Sequence, residues 1–222
     1  MNPRQPESKR AYVSPLREEQ RRQTRARVVQ AAGAIFAQRG YVATTMQAIA
    51  EEAGVSVDTV YLNGSKRELL FAALETGVAG DEGSHSIRER DWMKELLAEP
   101  DVSRLLARMA PAIAETHARS AGIFAALAGA ATVDEEVAQA YTGLVARMRA
   151  DTAAVAALLD ERRGVQRGLP VEELGDTFWL LTHPDGYRRL VEEAQWSVER
   201  YVAWLERMLR SVVLGDPERR DR

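Results

Sequence analysis

Residues 44–70, TTMQAIAEEAGVSVDTVYLNGSKRELL, decide the fold, because they read as two short helices hinged at a glycine and followed directly by a third. Thr45 is placed to cap a helix that begins at Met46, its hydroxyl accepting from a free backbone N–H of the first turn. Met46, Ile49, Ala50 and Ala53 then recur at helical spacing and make an inward face, with Glu51 and Glu52 left in solvent. Gly54 follows, where a chain reversing out of a helix needs positive φ. Val55 is expected to fill the angle between the helices, and Ser56 to cap a second helix over Val57 to Leu62. Only Val60 continues the buried face there, so Val57, Asp58, Thr59 and Tyr61 point outward or to the flanks. Ser65-Lys66-Arg67-Glu68 has the form of a capping box and opens a third helix through Leu69, Leu70, Ala73 and Leu74.

A glycine-hinged helix pair is moderately specific by itself, since any helical hairpin looks similar. Its surroundings sharpen it. Upstream, REEQRRQTRARVVQAAGAIFAQRGYVATT predicts a helix from about Arg17 to Arg39, with Val28, Val29, Ala32, Ile35 and Phe36 on one stripe and Gly40 as its stop. Three helices sharing an apolar face make a small DNA-binding module. The charge agrees: the net charge is −3, yet residues 1–50 hold nine Lys or Arg (4, 9, 10, 17, 21, 22, 25, 27, 39) against acids at 7, 18 and 19. The head is therefore basic and the remainder acidic, as suits a protein that brings one end to a phosphate backbone.

On these residues the first 75 positions resemble the DNA-binding domain of the tetracycline-repressor (TetR) family of bacterial transcription regulators. The matching residues are AIFAQRGYVATT, the IAEEAGVS hinge, Thr59-Val60-Tyr61 and the GSK turn. A second stretch, Asp176 to Leu181 through Tyr187, Leu190, Val191, Trp196, Tyr201 and Trp204-Leu205, is similar to the ligand and dimer domain of one branch of that family. One departure stands out. The family usually reads Tyr, two residues, Phe, Gly, Ser, Lys, whereas Tyr61-Leu62-Asn63-Gly64-Ser65-Lys66 is one residue shorter and lacks the aromatic that ordinarily buttresses the turn.

The expected fold is all-α. Composition is that of an ordinary soluble protein, and no apolar run approaches a membrane span or a signal-peptide core, so a cytoplasmic location and no membrane partner are expected. Cysteine is absent, which excludes disulfides, thiolate catalysis and cysteine zinc sites. Four regions are expected: a disordered basic tail over 1–16 carrying Arg4, Lys9 and Arg10; the helix-turn-helix domain over 17–75; a helical body over 76–215; and a disordered tail over 216–222. Gly77, Gly80 and Gly83 are expected to break the chain between head and body. Within the body, helices are predicted over Ser86–Ala98, 102–119 with Pro111 as a kink or break, 121–131, Asp134 to about Arg163, Pro170 to Leu181 with the proline at N1, 185–194, and a last long helix capped by Ser197. Gly164 to Gly168 interrupts the series.

The last helix is apolar over more than a third of its circumference, and Phe178, Trp179, Leu180 and Leu181 are consecutive. Such faces serve either a thick core or a four-helix interface with a second copy. The resemblance implies the latter, a homodimer through the helices near 171–182 and 197–214. It also implies a small-molecule effector among the central helices, for which Met109, His117, Phe124, Tyr141, Met148, Trp179 and His183 are the candidate lining; plain core packing explains the same stripe. For DNA, Arg22, Arg25, Thr44, Thr45, Ser56, Tyr61, Asn63 and Lys66 are the candidate phosphate contacts, and Val57, Asp58 and Thr59 the candidate base readers.

No glycine-rich phosphate loop, HExxH or nucleophile elbow occurs, so no catalytic residue, cofactor or metal is expected. Glu82-Gly83-Ser84-His85 has ExxH spacing but occurs once, in a glycine-rich break, where di-iron sites need two copies. Three readings remain: a ligand-responsive repressor on a palindromic operator, a helical small-molecule-binding or enzymatic protein with a degenerate DNA-binding head, and a helical adaptor.

Overall fold

The computed structural model describes residues 15–80, 91–162 and 169–215. The expectations for residues 1–14 and 216–222, for the ExxH sequence, for Gly83 and the start of the helix at Ser86, and for Gly164 to Gly168 lie outside the described residues; Pro15 and Leu16, expected in the tail, are helical. Among the described residues every regular element is helical, so the fold is all-α. The head consists of α1 (Pro15–Ala43), α2 (Met46–Ala53), α3 (Val57–Leu62) and α4 (Lys66–Ala79). The body consists of α5 (Asp91–Leu97), α6 (Val102–Ala130), α7 (Glu135–Glu161), α8 (Val171–Leu181), α9 (Pro184–Tyr187) with a π-helical continuation over Arg188–Glu193, and α10 (Val198–Leu214).

Head and body share a core. Val28, Val29, Ala32 and Phe36 of α1, Ile49 of α2, Val60 of α3 and Leu69, Leu70 and Ala73 of α4 are buried in one cluster with Ile123, Phe124, Ala126, Leu127 and Ala130 of α6. The expected boundary at 75/76 lies inside α4, and Gly77, expected in a break, is helical and buried. It faces α6, where a Cβ would stand 3.0 Å from the Arg119 carbonyl oxygen. The left-handed stop comes at Gly80, φ 88°.

Helix α6 is the spine of the molecule. The two helices expected over 102–119 and 121–131 are one, capped by Asp101, whose carboxylate accepts from Arg104 N at 2.9 Å. It continues through Pro111, which stands on the exposed side, where a carbonyl that loses its donor can be hydrated. It also continues through Gly122, where a Cβ would lie 2.8 Å from the Ala37 Cβ of α1. That glycine serves a close helix crossing rather than a break, a distinction invisible in a single sequence.

The second cluster fills the body. Tyr201, Leu205, Leu209 and Val213 repeat every fourth residue along α10 and are fully buried against Leu105, Leu106 and Met109 of α6, Leu159 of α7, and Leu174 and Phe178 of α8. Each such side chain contributes about 1.5–3 kcal/mol on burial. Two expectations shift in detail. Pro170 is the residue before α8 rather than its first residue. The helix expected over 185–194 starts a residue early, with His183 as N-cap and Pro184 in the first turn, and passes into π geometry. Its exit bonds, Ala194 N to Arg189 O and Trp196 N to Leu190 O at 2.9 Å, lead to Gln195 at φ 57°.

Candidate nucleic-acid interface

The hinge is built by side chains that satisfy helix ends. Thr45 Oγ1 accepts from Ala48 N at 3.1 Å and opens α2. Gly54 closes α2 in the left-handed conformation, φ 64°, and its N–H donates to the Ala50 and Glu51 carbonyls. Ser56 Oγ accepts from Thr59 N at 3.1 Å and lies 2.8 Å from the Thr59 hydroxyl, which opens α3. The capping box is complete: Ser65 Oγ accepts from Glu68 N, and Glu68 returns to Ser65 N at 2.7 Å. These bonds to the carboxylate, the Ser65 N–H first, hold the Glu68 pKa below the usual carboxylate range.

Ser56 caps the start of α3, Asn63 ends it and buried Val60 anchors its inner side, which leaves the opposite face outward. Asp58 is exposed, Tyr61 is 62% exposed and Leu62 87% exposed. Thr59 is half-buried beside them. Val57 is half-buried against the head core, so less of it is available to a base than its position in the sequence implies.

The basic candidates carry partners. Arg22 is exposed and ion-paired with Glu19 one turn away, an exchangeable surface pair. Arg25 turns inward, its Nη1 donating to the Asn63 carbonyl at 2.6 Å. The Lys66 Nζ donates to the Val42 carbonyl at 3.3 Å and stands 4.5 Å from the centre of the Tyr41 ring. Partial burial there lowers the Lys66 pKa and raises that of Tyr41. Asn63 ends α3, its Nδ2 donating to the Thr59 carbonyl at 2.7 Å.

Thr44 corrects an expectation. It is 1% exposed, and its hydroxyl donates to the Gly40 carbonyl at 2.6 Å while its N–H donates to the Tyr41 carbonyl. It locks the turn out of α1 and has no donor left for a phosphate.

With that geometry in place, residues 28–73 match the family model described as bacterial regulatory proteins, tetR family. The head is a TetR-family DNA-binding domain. The match runs from Val28 of α1 to Ala73 of α4 and contains the hinge, α3 and the shortened turn. No curated protein matches the chain. A head of that family implies a DNA-binding transcription regulator. Among the described residues no helix is long and apolar enough to cross a membrane.

Sequence reading passed over two residues of this TetR head. Tyr41 stacks on Phe36 at 6.0 Å and carries Lys66 over its ring; it was hidden because its partner lies 25 positions on. Leu62 offered a signal, an apolar side chain on the outward side of a short helix whose inward side belongs to Val60.

In the body, four of the candidate effector residues form one chain of ring contacts. Phe124 meets Tyr141 at 5.7 Å and His183 at 5.2 Å, and His183 meets Trp179 at 5.7 Å. His117 of α6 belongs to a separate group, with its ring 6.1 Å from Tyr187 and its Nδ1 3.4 Å from the Tyr201 hydroxyl. Met148 packs on the head-side cluster, whereas Met109 is 4% exposed in the other. Burial, helped by the His183 charge, pushes the His117 pKa down to about 4. Burial also lowers His183 and raises Tyr201. Trp179 further lines an open apolar groove with Thr142, Val145, Ala146, Arg149, Ala150 and Ala153 of α7. Arg149 at its rim holds Asp176 through two bonds of 2.7 and 2.8 Å.

Proposed function

We propose that this regulator is a repressor that binds a palindromic operator as a homodimer and is released when a small molecule occupies its body. The observation that carries the DNA half is the outward face of α3: Asp58, Tyr61 and Leu62 are exposed, with Thr59 half-buried beside them, on a helix anchored by Ser56 and Val60 in the basic part of an acidic chain. In this reading Asp58 accepts from cytosine, the Thr59 methyl and the exposed edge of Val57 meet thymine methyls, and Tyr61, Asn63 and Lys66 hold phosphates. Thr45 keeps a hydroxyl proton to donate while capping, Ser56 does so when the Thr59 hydroxyl donates to it, and Arg22 exchanges Glu19 for a phosphate.

The dimer would form through α8 and α10. Leu180 is 69% exposed and Val198 40% exposed, and Trp179, Leu181, Val202 and Val212 on the same helices are half-buried. Pairing these helices with their copies gives an interface of the four-helix kind and sets two recognition helices about 34 Å apart. For the effector, the chain Phe124, Tyr141, His183 and Trp179 is favoured, since it touches α6, α7 and α8 together. A ligand that spreads these helices would act on the head through α6, which is a coupling between two sites.

The test is binding of the purified protein to duplexes tiled across the DNA upstream of its own coding sequence, followed by Thr59→Ala on the best duplex. Altered base preference at particular positions supports direct readout. Uniform loss over all duplexes, or no preference in the unaltered protein, counts against it.

A further inference from the structure

The turn out of α3 is one residue shorter than the usual TetR sequence and lacks its aromatic buttress, so another group must hold the C-terminal end of the recognition helix. We infer that Arg25 of α1 is that group, a positioning residue that fixes α3 through the Asn63 carbonyl and not a phosphate contact. Its Nη1 donates to Asn63 O at 2.6 Å in a part-buried setting, across 38 positions of sequence. Asn63 is the last cap of α3, and its own Nδ2 donates back to Thr59 O at 2.7 Å. Arg25, Asn63 and the Thr59 carbonyl thus form one line from α1 into the middle of the reading helix. A guanidinium at a helix C-terminus also faces the negative end of the helix dipole.

The other side of the turn lies within the field of the same group. Gly64, at φ 137°, packs against the Glu68 side chain, and the Arg25 charge acts on the Glu68 carboxylate, though less than the Ser65 bonds do. One planar guanidinium, which offers several donors in a fixed fork, therefore bonds the α3 arm of a turn that has lost an aromatic ring and acts on the other arm through its charge. Lysine would carry the charge but not the fork.

This inference rests on α3 being the recognition helix, and the experiment separates the two. Arg25→Ala and Arg25→Lys are compared with the unaltered chain by fluorescence anisotropy, on the preferred duplex and a scrambled one, over a range of salt, with a thermal melt of each variant to confirm folding. A positioning role predicts that both variants lose on the order of tenfold in affinity for the preferred duplex. Binding to the scrambled duplex and the slope of log affinity against log salt stay where they were. A phosphate role predicts instead that Arg25→Lys binds normally and that Arg25→Ala flattens the slope by about 0.9, and either result overturns the inference. If the unaltered chain prefers no duplex, the reading of α3 fails, and amide hydrogen exchange without DNA decides Arg25. Faster exchange of the Val60 to Asn63 amides in both variants supports it, and unchanged protection overturns it.

Discussion

Arg67 of α4 is ion-paired with Glu136 in the first turn of α7, and its Nη1 also lies 3.8 Å from Asp134, the residue that caps α7. The head is thereby tied to a second body helix besides α6, one residue from Lys66. Because α7 also carries Tyr141 and the wall of the Trp179 groove, the pair lies on a short route from the body to the turn that follows α3.

Glu136 is largely exposed, so the pair is worth a fraction of a kcal/mol to about 1 kcal/mol. A double-mutant cycle of Arg67→Ala and Glu136→Ala by denaturant unfolding should give a coupling of that size, shrinking in high salt. Strict additivity of the two substitutions would show that the contact contributes nothing. Asp134 is left intact in the cycle because its carboxylate caps Glu136 N and Val137 N, and its loss would add a capping cost of about 1 kcal/mol.

Gly122→Ala gives a second expectation. Alanine is the better helix former by about 1 kcal/mol, yet its Cβ would stand 2.8 Å from the Ala37 Cβ, and overpacking costs about 1–3 kcal/mol. Net destabilisation is predicted, read as a lower Tm, and Ala37→Gly in the same chain should recover part of it. A variant that melts higher than the parent would mean that α1 and α6 are not so tightly crossed.

The pH dependence follows from His117. Its folded pKa, about 4, lies below the ordinary value of 6.5, so between those values the unfolded chain binds more protons than the folded one. The resulting stability is complete above pH 6.5 and falls as pH drops toward 4, by roughly 3 kcal/mol in total; His183, lowered in the same direction, adds to the slope. His117→Gln keeps a polar partner for Tyr201 without titrating. Its stability should therefore vary less between pH 7 and 5 than that of the parent, measured as ΔG of unfolding at each pH. Equal slopes in the two proteins would contradict the burial of a neutral His117.

Much of the head was legible in the sequence, because short-range chemistry decides it. Thr45, Ser56 and the Ser65–Glu68 box are caps whose partners lie three residues away, and Gly54 is a stop whose conformation few other residues tolerate. The body's helix series was legible from periodicity and from the caps Asp101, Asp134 and Ser197. What escaped depends on neighbours distant in the chain. Gly77 looks like a break locally and is a close approach in space, as is Gly122, which lies inside a predicted helix. Thr44 looks like a phosphate contact beside Thr45 and is buried against the Gly40 carbonyl. Arg25 looks like one more cation of a basic helix, yet its partner is 38 residues on. The π segment at Arg188–Glu193 has no signature in residue spacing.

The central claim is that α3 of this TetR-type head reads DNA, and Lys66 tests it together with the salt dependence of binding. Affinity of the unaltered chain and of Lys66→Ala should be measured from about 50 to 200 mM salt on the preferred upstream duplex and on a scrambled one. DNA reading by α3 predicts a clear preference for the upstream duplex, a steep loss of affinity with salt, and in Lys66→Ala a uniform weakening with the slope reduced by about 0.9. Equal affinity for both duplexes in the unaltered chain, with a salt slope that Lys66→Ala leaves unchanged, would contradict it.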